Sequence, residues 1–267
     1  MRLGLNVELN TKSINYSRHF CVLEYPRSGG NWVLKLLSAY LGMPYRDLDR
    51  SAEKFSELIY YKLFRIPVIA YFNQVTVKNP FSYILKTHLF YNHRYKRIIY
   101  CIRDGRDVLA SYYFFEKDFM RYHLGLSPEF KFNDDIPDKL QFENYLKYRL
   151  SARDFPYVDW VQHIERARKL SDNVVFVRFE ELKLDTYGTF INLLHRINVE
   201  VDKEKVKRVC EEQSFEREKE RLKKKSDTLC FHLRKGEIGS WKEMFSEAAI
   251  SCFDNKAGQL MKDLGFY

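Results

Sequence analysis

Lys86, Thr87 and His88 close a short apolar run in "YILKTHLF", Tyr83–Phe90. A neutral imidazole, with an unperturbed pKa of about 6.5, can take a proton at physiological pH, and a neighbouring ammonium can stabilise developing negative charge. A histidine placed there could equally serve packing alone. A second stretch, "EYPRSGGNWVLKLL", sets Arg27, Ser28, Gly29, Gly30 and Asn31 between an apolar run and a helical pattern. Glycines let backbone N–H groups approach a ligand closely, and the N–H groups and dipole of a new helix favour an anion. Arg27 and Ser28 add a guanidinium and a hydroxyl. A phosphate-cradling turn is the chemical reading, although glycine-rich turns of this kind also occur without a ligand. Gly-Lys-Ser/Thr does not follow Gly30, so the loop is not a Walker A loop, and its glycines do not have the G-x-G-x-x-G spacing either.

Two further stretches repeat the logic. In "RIIYCIRDGRDVLASYYFF" an apolar strand ends at Arg103 and enters a helix whose Val108, Tyr112, Phe115 and Phe119 mark one face, with Ser111 bordering it. Arg103 stands at the carboxyl end of its strand, where open α/β sheets bind ligands; pairing with Asp104 or Asp107 is the alternative. In "HLRKGEIGSWKEMF", Arg234, Lys235 and Gly236 precede Gly239 and Trp241. Paired cations beside a glycine can hold a dianionic phosphate through side chains and backbone N–H groups together.

These turns require a sheet to carry them. Strand patterns fall at His19–Tyr25, Tyr83–Lys86, Arg97–Ile102 and Val174–Phe179. Helical patterns fall at Asn31–Leu41, Ala52–Leu63, Gly105–Arg121, Phe142–Arg153, Val158–Leu170 and Thr186–Ile197. Their alternation predicts an α/β fold, one domain over residues 1–267 with a central parallel sheet flanked by helices. The charged stretch Asp202–Lys225 interleaves Val206, Val209, Cys210, Phe215 and Leu222, which suits solvated amphipathic helices.

Composition narrows the class without naming a ligand. With 45% apolar residues the chain can bury a full core, and 45 basic against 36 acidic residues give +9, which suits anionic ligands in general. Cys21, Cys101, Cys210, Cys230 and Cys252 form no C-x-x-C pair and read as buried free thiols of a reducing compartment. The first residues, "MRLGLNVELNTKS", lack a signal-peptide core, and the longest apolar run, Ile66–Phe72, is far short of a membrane span. A cytoplasmic protein is expected.

Taken in order, the stretches resemble the cytosolic sulfotransferases. "YPRSGGNW" is similar to their Y-P-K-S-G-T-T-W loop, and "LKTHL" to the segment carrying their catalytic Lys and His. "CIRDGRDVLASYYFF" resembles their 3′-phosphate motif, "LRKGEIGSWK" their R-K-G-x-x-G-x-W-K loop, and "CFDNKAGQLMKDLGF" their closing helix. The resemblance implies a nucleotide-kinase-like fold and sulfuryl transfer from 3′-phosphoadenosine 5′-phosphosulfate (PAPS), with PAP as product and no metal. The acceptor would be a hydroxyl, less readily an amine, of a small molecule or glycan; nucleic acid is not an expected partner. It further implies that Arg27, Ser28, Gly29, Gly30 and Asn31 hold the 5′-phosphosulfate while Trp32 stacks near adenine. Arg103, Ser111, Arg234, Lys235 and Gly236 would grip the 3′-phosphate. Lys86 and Arg27 would stabilise the reacting sulfate, and His88 would be the general base.

Several positions depart from that pattern. Arg27 replaces the usual Lys, a change of geometry as well as of side chain. Phe179 stands where a Tyr is common near adenine. Gln213-Ser214-Phe215 replaces Thr-Ser-Phe, leaving Phe215 as the base-stacking candidate. "KEMFSEAAIS", Lys242–Ser251, has lost the Thr-Val and Glu of the family's short dimer motif, so a monomer is expected. The acceptor pocket is expected from the aromatic-rich segments Asp47–Lys78 and Tyr113–Lys139. The rival readings are a P-loop-type phosphotransferase and a non-catalytic basic module binding nucleic acid or glycan.

Overall fold

The computed structural model describes residues 20–47, 84–90, 97–123, 128–151, 155–170, 174–225 and 235–267. Among the described residues there are five strands: β1 (Phe20–Glu24), β2 (Tyr45–Asp47), β3 (Ile84–Thr87), β4 (Ile98–Ile102) and β5 (Val174–Arg178). They form one sheet in the order β2-β3-β1-β4-β5, and every pair is parallel. β2 was not foreseen: its three residues are too short and polar to give a strand pattern. The expected helix Ala52–Leu63, Arg234 and Cys230 lie outside the described residues.

The apolar runs of β1 and β4 are continuous because both faces of the sheet are covered. Cys21 and Leu23 of β1 and Ile98, Tyr100 and Ile102 of β4 face one core. Phe20 and Val22 of β1 and Ile99 and Cys101 of β4 face the other, as the two-residue period of a strand requires. The first core is closed by α2 (Gly105–Phe114), α3 (Asp138–Arg149), α4 (Trp160–Lys169) and α9 (Glu247–Asp263). The second is closed by α1 (Gly30–Leu41), α6 (Thr186–Arg196) and α7 (Lys203–Glu212). A short α5 (Phe179–Leu184) follows β5, and α8 (Phe215–Lys225) follows α7. The charged stretch after Asp202 is therefore helical, as its pattern predicts, with Val206 and Val209 buried.

Some boundaries move. The helix expected at Gly105–Arg121 is α-helical only to Phe114 and continues as a π-helical turn over Phe115–His123. The helix expected at Phe142–Arg153 begins earlier, at Asp138 after Pro137, because proline tolerates the position before a first turn. Of the described cysteines, Cys21 and Cys101 are buried as expected, whereas Cys210 and Cys252 are only partly so.

Candidate active site

Parallel pairing puts the carboxyl ends of β1, β3 and β4 side by side, with Leu23 opposite Thr87 and Glu24 opposite Cys101. The turn after β1 is held by the Ser28 N–H donating to the Tyr25 carbonyl and the Trp32 N–H to that of Gly29. Arg27 at φ 75° and Gly29 at φ 100° occupy the left-handed region. The two glycines are required by close approach. A Cβ on Gly29 would come within 2.7 Å of the Phe179 ring, and one on Gly30 within 2.6 Å of the Glu24 carboxyl group.

Lys86 and His88 lie at the end of β3. The Lys86 ammonium is almost fully buried, 3.3 Å from Glu24 Oε1, 3.5 Å from Asp47 Oδ2 and 3.0 Å from His88 Nε2. His88 Nδ1 is 3.1 Å from the Glu24 carbonyl. A carbonyl only accepts, so Nδ1 carries the proton and Nε2 keeps a lone pair facing Lys86. Burial and the neighbouring ammonium push the His88 pKa well below its ordinary value, against the opposing pull of the Glu24 carbonyl. The imidazole is neutral at physiological pH.

A buried relay fixes that segment from behind. His163 of α4 approaches the His88 carbonyl through Nε2 at 2.8 Å, and Tyr100 of β4 approaches His163 Nδ1 at 2.7 Å. The same reasoning makes Nε2 the donor and Nδ1 the acceptor. Burial lowers the His163 pKa to about 4, keeping this tautomer neutral. The ring of Phe155 stands edge-on to His88 at 5.9 Å.

The second cationic cluster forms between the β1 turn and the start of α2. Arg27 Nε donates to Ser111 Oγ at 3.1 Å, with its guanidinium over the Phe115 ring at 5.0 Å. Arg103 donates to the Glu237 carbonyl at 2.9 Å and to that of Arg27 at 3.5 Å. Its guanidinium lies 4.2 Å over the Phe179 ring, which meets Trp32 at 6.2 Å. Arg103 also lies 3.8 Å from Asp107, whereas Asp104 pairs with Arg106 at 2.7 Å.

The carboxyl-terminal loop is brought here by Asp107. Its buried carboxylate accepts from Gly239 N–H at 2.8 Å, Ser240 Oγ at 3.1 Å and Trp241 N–H at 2.9 Å. Gly236 packs so closely on Phe215 that a Cβ would come within 2.4 Å of the ring. Lys235 is paired with Glu243 at 2.5 Å. Trp32 Nε1 donates to the Gln213 carbonyl at 2.9 Å, tying α1 to the turn that precedes Phe215. Asn31 is exposed at the start of α1, and Ser28 is buried.

The structure thus gathers Arg27, Ser28, Gly29, Gly30, Trp32, Arg103, Ser111, Phe179, Phe215 and Gly236 around strand ends and joins Lys86 to His88. Sequence reasoning missed Glu24, Asp47 and His163, and gave Asp107 only as an alternative partner of Arg103, not as the anchor of the loop at 239–241. A carboxylate closing an otherwise apolar strand was the available signal for Glu24. Within the described part of Tyr113–Lys139, Tyr113 is buried, and Phe130 and Phe132 pack against Tyr145 while remaining partly exposed. Asp47–Lys78 lies outside the described residues after Asp47. Among the described residues no group of His, Cys, Asp and Glu is arranged to hold a metal, and no helix is long and apolar enough to cross a membrane.

Comparison with known proteins gives this arrangement a family. A sulfotransferase domain model matches residues 17–265. Mouse sulfotransferase 1E1 is 26% identical, covering 91% of this chain and 83% of that protein. The guinea pig 3-alpha-hydroxysteroid sulfotransferase is 27% identical, covering 92% and 85%. A mouse sulfotransferase crystallised with PAP superposes with a TM-score of 0.69 at 18% identity, over 93% of this chain and 85% of that one. Retinol dehydratase in complex with androsterone and PAP superposes with a TM-score of 0.69 at 17% identity, over 94% and 82%. The chain belongs to the sulfotransferase domain family, and its enzyme class is PAPS-dependent sulfotransferase.

Proposed function

We propose that the protein moves the sulfuryl group of PAPS to a hydroxyl of a small-molecule or glycan acceptor, with His88 as general base. The observation that carries this reading is the fixed tautomer of His88: a proton on Nδ1 held by the Glu24 carbonyl, and a lone pair on Nε2 beside the Lys86 ammonium. A neutral imidazole oriented in this way can accept a proton without first losing one.

The residues fit such a donor. Two guanidiniums, an ammonium, a hydroxyl and glycine N–H groups meet at the carboxyl ends of parallel strands, where open α/β sheets bind nucleotides. PAPS supplies an activated sulfuryl group and a ribose 3′-phosphate of about two negative charges. Arg103, Ser111, Arg234, Lys235 and Gly236 would hold the 3′-phosphate. Trp32, Phe179 and Phe215 would offer ring faces to adenine. Arg27, the Ser28 hydroxyl and the N–H groups from Gly29 to Asn31 would meet the charge that grows on the leaving phosphate as the sulfur–oxygen bond breaks. Lys86 would turn toward the sulfate, and Nε2 of His88 would then take the acceptor proton as the new oxygen–sulfur bond forms. A cytoplasmic setting and a monomeric state belong to the same proposal.

The test is to incubate the protein with PAPS and a panel of phenols, alcohols, amines and sugars. Sulfated products and released PAP are then followed by mass spectrometry. Sulfation of at least one hydroxyl acceptor is expected. Phosphoryl transfer from ATP in place of sulfuryl transfer from PAPS would overturn the reading.

A further inference from the structure

Glu24 holds groups that the donor would need. Its side chain is 2% exposed and ends β1 directly beneath the turn. Oε2 accepts from the Gly30 N–H at 2.5 Å, and Oε1 lies 3.3 Å from the Lys86 ammonium. Gly30 is the first residue of α1, where free N–H groups and the helix dipole favour an anion. Gly30 also stands where the family loop quoted above has Thr, and a Cβ there would come within 2.6 Å of the Glu24 carboxyl, which would have to move to admit it. The small residue at 30 and the carboxylate at 24 therefore form one packed unit.

We propose that Glu24 is an internal counter-anion of the sulfuryl site, occupying the Gly30 N–H and the Lys86 ammonium until a donor displaces it, and so sets donor affinity. The inference rests on the PAPS reading given above. Its consequences follow from charge. Before binding, Glu24, with Asp47 at 3.5 Å, offsets the charge of Lys86, so two groups meant for an anion are buried without an uncompensated cation. On binding, the donor's 5′ group must compete with a fixed carboxylate for the same partners. When Lys86 leaves Glu24 it also leaves His88 Nε2, because one ammonium bridges both at 3.3 and 3.0 Å. Donor binding and uncapping of the base are then one event.

The test uses calorimetry of the whole chain with PAP and with adenosine 3′-phosphate, which lacks the 5′ group. Glu24→Gln keeps an acceptor oxygen and the side-chain volume but removes the charge. It should bind PAP roughly tenfold tighter. Its affinity for adenosine 3′-phosphate should be unchanged, and the KM for PAPS should fall in step with the PAP dissociation constant. Equal or weaker PAP binding in Glu24→Gln would overturn the proposal, because a merely structural carboxylate gives no gain specific to the 5′ group. Should the variant not fold, the wild-type Gly30 amide resonance decides. It should shift on saturation with PAP and stay in place with adenosine 3′-phosphate, and an amide indifferent to PAP rejects the exchange of partners. A wild-type chain that binds neither nucleotide overturns the donor reading itself, and this inference with it.

Discussion

The two ends of the site treat positive charge differently. At the reacting end, Lys86 is buried against Glu24 and Asp47 and shares its ammonium with His88. At the 3′-phosphate end, Arg103 donates to the Glu237 and Arg27 carbonyls, lies over the Phe179 ring and has the buried Asp107 as an ion-pair partner at 3.8 Å. Carbonyls and rings aim a guanidinium without cancelling its charge; a carboxylate aims an ammonium and cancels it. Arg103 has a carboxylate at 3.8 Å, whereas Lys86 has two, at 3.3 and 3.5 Å, so the cation at the reacting end is the more closely balanced of the two.

That difference predicts which measurement each substitution moves. The largest effect belongs to the reacting end. His88→Asn should lower turnover by roughly 10²–10⁴ while PAP affinity stays within a few-fold. The wild-type acid limb of kcat/KM, which reports the free enzyme, should lie below the ordinary imidazole range, because burial and Lys86 lower the His88 pKa there, and it should vanish in the variant. A folded His88→Asn protein with most of its activity would remove the base from the comparison. At the other end, Arg103→Ala should reduce PAP affinity by well over tenfold, since a charge-assisted contact to a near-dianion is worth about 1.5–3 kcal/mol and this side chain also holds the Glu237 carbonyl. Unchanged PAP binding by calorimetry would show that the phosphate lies elsewhere.

A smaller effect concerns the scaffold behind His88. His163 is neutral in the fold with its pKa at about 4, against about 6.5 when unfolded. The unfolded chain therefore binds a proton that the native one does not, so stability is complete above pH 6.5 and is lost as the pH falls toward 4. Thermal melts should show this decline, and His163→Asn should make it shallower by about one proton. An unaltered slope would place the acid sensitivity in other groups.

The framework was legible because it rests on local rules. Continuous apolar runs before glycine-rich turns gave β1 and β4, and helical spacing gave α1 and the start of α2. Arg103, Lys86 and His88 were legible because strand ends are where charged side chains can converge. What escaped depended on contacts far apart in sequence. Asp107 reads as an ordinary first-turn acid until the loop at 239–241 folds onto it. His163 sits within a plain amphipathic helix, and only tertiary packing brings it to the His88 carbonyl. Glu24 looked like the polar end of a strand; its partners, Gly30 and Lys86, come from two different elements. The aromatic residues after Tyr113 cannot be sorted from sequence, because rings that could stack on an acceptor equally pack on a core; here Tyr113 is buried while Phe130 and Phe132 are partly buried against that core.

Calorimetric titration of the unmodified protein with PAP and with AMP tests the donor assignment most directly, because the two nucleotides differ in the 3′-phosphate on which the Arg103 end depends. PAP should bind well over tenfold more tightly than AMP. Equal affinity for the two would contradict a site built around a 3′-phosphorylated sulfuryl donor.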